Sequence, residues 1–311
     1  YNGTKWHVST SGSNENIGNS ESPFSTIQAG INEAENGDTV FVYEGVYIEN
    51  ISFKNKNIIL IGENKETTII DGNQSGSVIV FEGNETSTAR IENFTIRNGS
   101  AERGGGINFQ YGDGTVENCN FINNSASQYG SHINSCGYNA ISNCLFKGGN
   151  RHAIFQDCGS VSDYTNCLID ASSSSYAISG NGKPNLINCT ILNYSEVAYH
   201  AYGNGDASII NSIFISSDNH QNALIAYNDR TDAAINVTID YSFFLNEGVD
   251  VALQGGGQIT YGNNNVNGLD SPLFCNRGNE NFSLASNSPC VGSGQNGENI
   301  GAFNIGCGDV F

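Results

Sequence analysis

Four side chains in the middle of the chain have the chemistry to act on a polysaccharide. Arg151, His132, His200 and Asp157 supply a cation, two imidazoles and a carboxylate. A cation neutralises the carboxylate of a uronate sugar while a base removes the neighbouring proton, which is the chemistry of a lyase. A glycoside hydrolase instead needs two acids, for which Asp157 and Asp163 are the nearest candidates. These four residues are therefore the candidate catalytic groups.

A larger set of residues has the chemistry of a sugar-binding surface. Amides bind sugar hydroxyls with paired hydrogen bonds, and aromatic rings pack against the C–H faces of sugars. Polar residues are also ordinary on a solvated sheet face, so a surface without a ligand is the alternative. The candidate carbohydrate-binding residues are Asn108, Gln110, Asn134, Phe155, Asn181, Tyr202 and Asn228.

Acidic loop residues are candidates for binding a metal ion. Carboxylate oxygens are preferred Ca²⁺ ligands, and the candidates are Asp113, Asp206, Asp229 and Asp232. None of them has the spacing of an EF-hand, and acidic residues also stabilise turns without any metal. The sequence therefore requires no cofactor, and Ca²⁺ is the one ion for which it offers candidate ligands.

The elements that position these residues follow from a repeat between Ile91 and Ser212. Each copy consists of an apolar residue, one more residue, and then asparagine, followed by cysteine in four of the six copies. The asparagines are separated by 25, 25, 23, 22 and 23 residues and are Asn93, Asn118, Asn143, Asn166, Asn188 and Asn211. A period in the low twenties is typical of a solenoid, and the short β-branched runs predict strands rather than the helices of a leucine-rich repeat. The predicted fold is all-β: a right-handed, single-stranded parallel β-helix.

Stacking of the coils determines how repeated residues meet. Equivalent positions lie about 4.8 Å apart, so the asparagines should form an amide ladder and the following cysteines a buried column. That column is Cys119, Cys144, Cys167 and Cys189. We expect these thiols to be unpaired, and also Cys136 and Cys158, because parallel Cβ vectors in register do not point at each other. Two of Cys275, Cys290 and Cys307 could form a disulfide.

The chain divides into three parts of one continuous domain. Residues 1–38 contain a strand, a loop and a capping α-helix over Pro23–Ala34, with Ser25 or Thr26 as its N-cap. Residues 39–268 form the coils, and residues 269–311 form a closing segment. In one sheet, the inward positions are predicted to be Ile107, Ile133, Ile154, Ile178, Tyr199, Ile225 and Leu253. Their neighbours, including His132 and His200, should then point outward along a groove.

Charge and composition limit the classes of partner. The formal net charge of -19 disfavours nucleic acid and anionic membrane surfaces. The sequence has no apolar run of the length that spans a membrane, so no membrane insertion is expected. It also contains no Met, so we expect Tyr1 to follow a removed signal peptide or an upstream domain.

Three stretches carry a resemblance to a known family. The phrase PFSTIQAGINEAENGDTVFVYEGVYIENISF, followed by NIILIGEN and TTIIDG, resembles the opening of bacterial parallel β-helix proteins of the pectin-lyase-like superfamily. Gly104–Ile107 and Phe121–Ala126 resemble the GGAI and FxxN repeats of surface-exposed β-helix passengers and adhesins. The tail beginning SPLF and ending NIGAF is similar to the ending of secreted bacterial β-helix proteins. The resemblance implies a secreted, extracellular or cell-surface location of bacterial type.

The resemblance does not extend to catalytic motifs. The Asp-Asp and Gly-His-Gly signatures of polygalacturonases are absent, as is a clustered Asp triplet resembling the calcium site of the superfamily's lyases. The sequence therefore favours a structural, adhesive or assembly role, with another surface protein or further copies of the chain as partners. The alternatives are a carbohydrate-binding module and a polysaccharide lyase or hydrolase that uses the outward groove, with a polysaccharide as partner.

Overall fold

The computed structural model describes residues 4–195, 197–201, 205–216, 226–228, 235–245, 251–253, 258–268 and 271–310. Within them, the chain winds into a parallel β-solenoid with three long sheets, which we name A, B and C. Successive coils add a strand to sheet A, then to sheet B, then to sheet C. The β-solenoid predicted from the repeats is confirmed.

The three long sheets contain 11, 10 and 9 strands. Sheet A consists of Lys5–Val8, Thr39–Val42, Ile59–Gly62, Arg90–Glu92, Gly114–Glu117, Tyr138–Ser142, Val161–Thr165, Lys183–Ile187, Ala207–Ile210, Asn236–Asp240 and Gln258–Tyr261. Sheet B consists of Gly45–Ile48, Thr68–Asp71, Thr95–Arg97, Asn120–Ile122, Leu145–Lys147, Leu168–Asp170, Thr190–Tyr194, Ile213–Ser216, Phe243–Leu245 and Val266–Gly268. Sheet C consists of Ile51–Ser52, Ile79–Phe81, Ile107–Phe109, Ile133–Ser135, Arg151–Gln156, Ser174–Gly180, Val197–Ala201, Ala226–Asn228 and Val251–Leu253.

Two smaller sheets lie outside the three long ones. Sheet D pairs Ser100–Arg103 with Ser125–Tyr129 in parallel, between sheets B and C of two successive coils. Sheet E is formed near the C-terminus by Phe274–Asn276, Asn281–Ala285 and Ile305–Cys307, with short 3-10 helices at Arg277–Asn279 and Gln295–Gly297. Among the described residues, no helix has the length and apolar character needed to cross a membrane.

The repeated asparagine forms the corner between sheets A and B. All six asparagines have positive φ angles, from 51° to 62°. Asparagine and glycine adopt this left-handed conformation more readily than other residues, which explains the recurrence of asparagine here. Asn118 Nδ2 donates to Asn93 Oδ1 at 2.7 Å, and Asn166 Nδ2 donates to Asn143 Oδ1 at 3.3 Å. The corners are thus linked in pairs by side-chain amides.

The interior is filled by columns of identical or similar side chains. In sheet C, Ile107, Ile133, Ile154 and Ile178 are in register and fully buried. Tyr199 is the next member of this column, Ala226 is its register partner, and Val251 is the partner of Ala226. Val251 rather than Leu253 therefore holds the register position of the column, and Ile225 lies outside the described residues.

The capping helix is shorter than predicted and spans Ile27–Glu33. Thr26 is its N-cap and accepts a hydrogen bond from the backbone N–H of Ala29 at 3.3 Å. Phe24 instead bonds to the edge strand, since its N–H donates to His7 O at 2.9 Å, so the helix begins after it. Glu49 accepts hydrogen bonds from the first helical N–H groups, those of Ile27 and Gln28, at 2.9 and 3.1 Å. A carboxylate from the first coil thus stabilises the start of the helix.

Lys56 stabilises the other end of the helix. Its Nζ donates to the carbonyl oxygens of Ile31, Asn32 and Ala34 at 2.8, 2.7 and 2.7 Å. We expect Lys56→Met to lower the free energy of unfolding by roughly 1–3 kcal/mol, because three terminal carbonyls lose a charged donor. Urea denaturation measures the change, and hydrogen exchange of residues 27–34 localises it.

Lys54→Met is the matched control for this substitution. Lys54 is about half exposed and lies 3.6 Å from Glu82 in a surface ion pair. Surface pairs of this kind contribute about 0–1 kcal/mol, so this variant should unfold almost like the wild type. Equal losses in the two variants would show that Lys56 does not hold the helix.

The C-terminal segment packs along the side of the solenoid, against the outer face of sheet B. Phe274, Phe282, Leu284 and Ile300 contact a set of outward residues of that sheet, which includes Leu168, Leu192, Ile213, Ile215 and Phe243. The backbone N–H groups of Gly301 and Ala302 donate to Asn211 O and Thr190 Oγ1 at 2.7 and 2.9 Å. The segment therefore covers an apolar sheet face that water would otherwise contact.

The cysteines pair differently from the prediction at one position. Cys136 and Cys158 form a disulfide with a Cα–Cα distance of 5.1 Å, so the prediction that both are free thiols is wrong. Cys158 follows the end of its strand and has φ 57°, so its Cβ does not obey the strand alternation on which the prediction depended. Cys275 and Cys307 form a second disulfide, and Cys290 is buried and unpaired.

The repeated cysteines form the expected buried column. Cys119, Cys144, Cys167 and Cys189 are unpaired and shielded from solvent. Their Sγ atoms lie within hydrogen-bond distance of backbone carbonyls, such as Cys189 Sγ to Tyr164 O at 3.3 Å. Burial raises the pKa of the Cys119 and Cys167 thiols, which disfavours the reactive thiolate form.

Candidate functional site

The outer face of sheet C carries a distinctive column of polar and aromatic side chains, of which Asn108 is half-exposed and the others are largely covered. Asn108, Asn134, Phe155, Ser179 and His200 are in register and occupy one outward column. They lie between the inward positions filled by Ile107, Ile133 and their counterparts. The column begins with amides and continues with an aromatic ring, a hydroxyl and an imidazole.

Five rings contact one another along this face, two of them from the column and three beside it. We name them the aromatic row: Tyr129, His152, Phe155, Tyr176 and His200. The centroids of Tyr129 and Phe155 are 4.2 Å apart with the rings at 24°. His152 stacks on Tyr176 at 5.0 Å, and Tyr176 lies 4.7 Å from His200. The row thus runs along the solenoid axis over four successive coils, and its rings are held by one another.

The two tyrosines are the accessible members of the row. His152, Phe155 and His200 are only 4–6% exposed, whereas Tyr129 and Tyr176 are half-buried. His200 therefore occupies an outward position, as predicted, but is covered. A ligand on this face would meet the faces and edges of the tyrosines, with the other rings as their support.

Arg103, in sheet D, lies at the Tyr129 end of the aromatic row. Its guanidinium carbon lies 5.1 Å from the centroid of the Tyr129 ring, within the range of a cation–π contact. Arg103 Nη1 also donates to Asp157 Oδ2 at 2.6 Å, and Asp157 Oδ1 accepts from the backbone N–H of Cys158 at 2.9 Å. The candidate acid Asp157 thus holds Arg103 in place over Tyr129.

His152 is held by a hydroxyl of the outward column. Its Nδ1 lies 2.6 Å from Ser179 Oγ, with the donor set by the histidine tautomer. A serine beside an imidazole is the arrangement of an activated nucleophile. Ser179, however, is fully buried beneath the row. The pair therefore orients the imidazole and presents no hydroxyl to a ligand.

The structure places His132 inside the solenoid, so its predicted outward position is wrong. The side chain is fully buried, with its ring centroid 5.9 Å from that of Phe146 and 6.3 Å from that of Phe121. Its Nδ1 lies 3.3 Å from Asn124 Nδ2. Burial lowers the pKa of His132 to about 3. His132 precedes the strand Ile133–Ser135, and the alternation of inward and outward side chains holds only within a strand.

Arg151 is exposed at the start of a sheet C strand. It has φ 47°, at a register shift between this strand and the next, and its Nη1 donates to Ser127 O at 3.3 Å. Of the four candidate catalytic residues, Asp157 and His200 therefore lie at the aromatic row or its end, Arg151 lies near its edge, and His132 is separated from them by the wall of sheet C.

The candidate carbohydrate-binding residues fall into three groups. Asn108 and Asn134 are joined by a hydrogen bond from Asn134 Nδ2 to Asn108 Oδ1 at 3.0 Å, and Gln110 is exposed beyond them. Phe155 belongs to the aromatic row. Asn181 is exposed, and its Oδ1 accepts from the backbone N–H of Gly159 at 3.0 Å.

The last two candidates of this set are Asn228 and Tyr202. Asn228 is predicted to point outward, but it is in register with Ala201, two residues after the inward Tyr199, so the register does not place it in the outward column. Tyr202 lies outside the described residues.

The candidate metal ligands are occupied by protein donors where they are described. Asp113 Oδ1 accepts from the backbone N–H of Tyr138 at 2.7 Å. Asp206 accepts from the N–H of Asn236 at 2.8 Å and from Lys183 Nζ at 3.3 Å. Asp229 and Asp232 lie outside the described residues. Within the described part of the chain, no three His, Cys, Asp or Glu side chains are grouped to hold a metal ion.

Sequence reasoning missed Arg103, Tyr129 and Tyr176. The sequence aligned two of the rings but not their side of the sheet: His152 and Tyr176 are in register, yet each precedes an inward isoleucine by two residues, so strict alternation would have placed both inward. Tyr129 and Arg103 belong to sheet D, which has no counterpart in the described parts of the other coils. Their contact with the row depends on how two extended loops fold back over sheet C.

Comparison with known proteins identifies the fold. No family model and no curated protein sequence matches the chain. Solved structures that superpose include XylC in complex with xylose, with a TM-score of 0.59, 12% identity, and 83% of this chain and 70% of that chain covered. Carrot pectin methylesterase superposes with a TM-score of 0.53 at 13% identity, covering 87% and 85% of the two chains. Pectate lyase Pel9A has a TM-score of 0.51 at 12% identity, with 97% and 96% covered.

These identities show the fold and no more. The sequence predicted a resemblance to pectin-lyase-like β-helix proteins, and this resemblance is confirmed for the fold. Enzymes of different chemistry are present among the superposed structures, so the activity of this chain has to be argued from its own side chains.

Proposed function

We propose that this protein is a secreted or cell-surface β-helix that binds an extended polysaccharide along the outer face of sheet C. The observation that carries the proposal is the aromatic row, with Arg103 at its end. Half-exposed tyrosine rings on a rigid sheet present C–H-binding faces, and ring stacking holds them before a ligand arrives. This activity suits the adhesive role that the sequence favours.

The geometry of the row suits a chain-like ligand. Successive coils lie about 4.8 Å apart, so Tyr129 and Tyr176 offer contacts at separated points along the axis. In the coils that carry Arg103 and Tyr129, the bonded amides of Asn108 and Asn134 belong to the outward column of the same sheet. A polysaccharide lying parallel to the axis would therefore meet aromatic, cationic and amide groups in turn.

Two further features support the proposal. The disulfides Cys136–Cys158 and Cys275–Cys307 are typical of an oxidising, extracellular compartment. The XylC structure, which shares the fold, was solved as a complex with xylose.

The side chains at the row favour binding over cleavage. His132 is buried inside the solenoid, Ser179 lies beneath the row, and Asp157 is engaged by Arg103 and by the backbone. A lyase or hydrolase would need a base or a second acid at an accessible position. We therefore propose binding without turnover.

The decisive variants are Tyr129→Ala and Tyr176→Ala. Each should weaken polysaccharide binding about tenfold or more, since loss of a stacking ring removes contact area and a favourable ring face. A glycan array identifies the polysaccharide, and titration calorimetry measures the affinity of each variant for it. Reducing-end and unsaturated-product assays on the same samples should stay at background.

Tyr138→Ala is the matched control, because Tyr138 is an exposed tyrosine on sheet A, away from the row. Its affinity should equal that of the wild type. Wild-type affinity in both row variants would exclude the row as the binding face. New chain ends in the wild-type reaction would replace the binding proposal with an enzymatic one.

A further inference from the structure

A recess lies between the asparagine corners and the C-terminal segment, on a different side of the solenoid from the aromatic row. It consists of two adjoining cavities of about 450 and 500 Å³. Both are lined by Asn143, Asn166, Ala302 and Phe303, and we name the combined recess the ladder groove. Each volume falls in the range of about 300–1,000 Å³ that is typical of small-molecule sites.

The floor of the ladder groove is a row of corner amides. Asn166 Nδ2 donates to Asn143 Oδ1, but the next step of the ladder is interrupted, because Asn118 Oδ1 accepts from Lys65 Nζ at 2.8 Å. Asn143 is exposed, and its Nδ2 has no acceptor among the described residues. The floor therefore presents the amide hydrogens of Asn143, for which the described residues supply no acceptor.

The opposite wall is held in position by the C-terminal segment. Gly301 N–H and Ala302 N–H bond to Asn211 O and Thr190 Oγ1, and Gln295 N–H donates to Asn211 Oδ1 at 2.7 Å. Phe303 follows Ala302 in the chain. It is partly exposed and packs against the apolar cluster between the C-terminal segment and the outer face of sheet B. The groove thus has an aromatic wall facing an amide floor, and both are fixed by neighbouring bonds.

The charged side chains around the groove are held by protein partners and are mostly acidic. Lys65 donates to Asn118 Oδ1, Glu66 Oε1 accepts from Asn120 Nδ2 at 3.2 Å, and Glu280 forms an ion pair with Lys147. Glu298 Oε2 accepts from Asn211 Nδ2 at 3.4 Å. The formal net charge of -19 adds a repulsion toward anions. An uncharged ligand rich in hydroxyl groups therefore fits better than an acidic one, since hydroxyls donate to and accept from amides at once.

We infer that the ladder groove is a second binding site, which takes a short neutral oligosaccharide between the corner amides and the Phe303 ring. Asn143 and Asn166 bind the hydroxyls, and Phe303 packs against a C–H face. The site belongs to the corner between sheets A and B, so it does not depend on the aromatic row of sheet C.

Titration of ¹⁵N-labelled protein with xylotetraose, cellotetraose and mannotetraose tests the inference. At least one tetrasaccharide should produce saturable shifts of the backbone resonances of residues 297–304. The same shifts should appear in the Tyr129→Ala/Tyr176→Ala variant, which lacks the row, and should disappear in Asn143→Ala/Phe303→Ala. Unchanged resonances of the capping helix, Ile27–Glu33, report that each variant is folded.

The outcomes separate the two sites. Shifts confined to sheet C, or lost only in the variant of the row, would leave the proposed function intact and overturn the second site. An absence of shifts at residues 297–304 with all three probes would also overturn it. If the groove variant fails to fold, mapping on the wild type and on the row variant still decides the question.

Discussion

Lowering the pH from 7 to 4 is expected to destabilise the wild-type protein by roughly 3 kcal/mol more than it destabilises His132→Gln. His132 is fully buried, and its pKa is lowered from the ordinary 6.5 to about 3 in the folded chain. The unfolded chain therefore binds a proton near pH 6.5 that the folded chain excludes until much lower pH. The stability contributed by the neutral imidazole is complete above pH about 6.5 and is lost progressively as the pH falls toward 3.

Urea denaturation at a series of pH values measures this difference. The comparison uses the slope of stability against pH, so a change in absolute stability from the substitution does not affect it. His7→Gln is the comparison variant, because His7 lies on the partly exposed surface of sheet A, where burial and then Lys5 also lower its pKa. Its pH dependence should depart from that of the wild type in the same direction as that of His132→Gln, but by less, since His7 is only partly buried. Identical slopes in His132→Gln and the wild type would place His132 in contact with water.

Leu284→Ala is expected to lower the free energy of unfolding by roughly 2–5 kcal/mol, the usual cost of truncating a buried leucine. Leu284 is 1% exposed and lies in the apolar cluster between the C-terminal segment and sheet B. Its loss leaves a cavity against Ile213, Phe243 and their neighbours. Urea denaturation measures the loss, and increased binding of a hydrophobic dye reports exposure of the sheet B face.

Ile305→Ala is a control from the same small sheet. Ile305 is the register partner of Leu284 but is 49% exposed. A surface substitution of this kind changes stability by about 0.5 kcal/mol or less. Equal effects of the two substitutions would mean that the C-terminal segment is not docked on sheet B in solution.

The C-terminal cover shows how far the sequence could be interpreted. One outward column of sheet B is polar at Thr95 and Asn120 and is mostly apolar from Leu145 onward, with Thr190 as the exception. Leucines and a phenylalanine on the outside of a solenoid indicate that another segment covers them. Recognising this change required the strand register, which loops of unequal length obscure.

The candidate site was predicted in part for a similar reason. The outward positions of Asn108, Asn134 and Phe155 followed from alternation within their strands. His132 was assigned to the wrong side because it lies just before a strand, where alternation does not hold. Arg103 and Asp157 are 54 residues apart and meet only because sheet D folds over sheet C.

The sequence by itself determined the solenoid, the corner asparagines, the buried cysteine column and a helix cap at Ser25 or Thr26, of which the structure selects Thr26. Each depends on the conformational preference of a residue in its local sequence or on a period that repeats from coil to coil. Both are visible in the sequence without the structure. Only the tertiary structure decided which rings stack into the aromatic row, that Cys136 pairs with Cys158, and that the C-terminal segment lies along sheet B. Those contacts join coils and loops of irregular length, so they depend on the summed geometry of the intervening turns rather than on any local pattern.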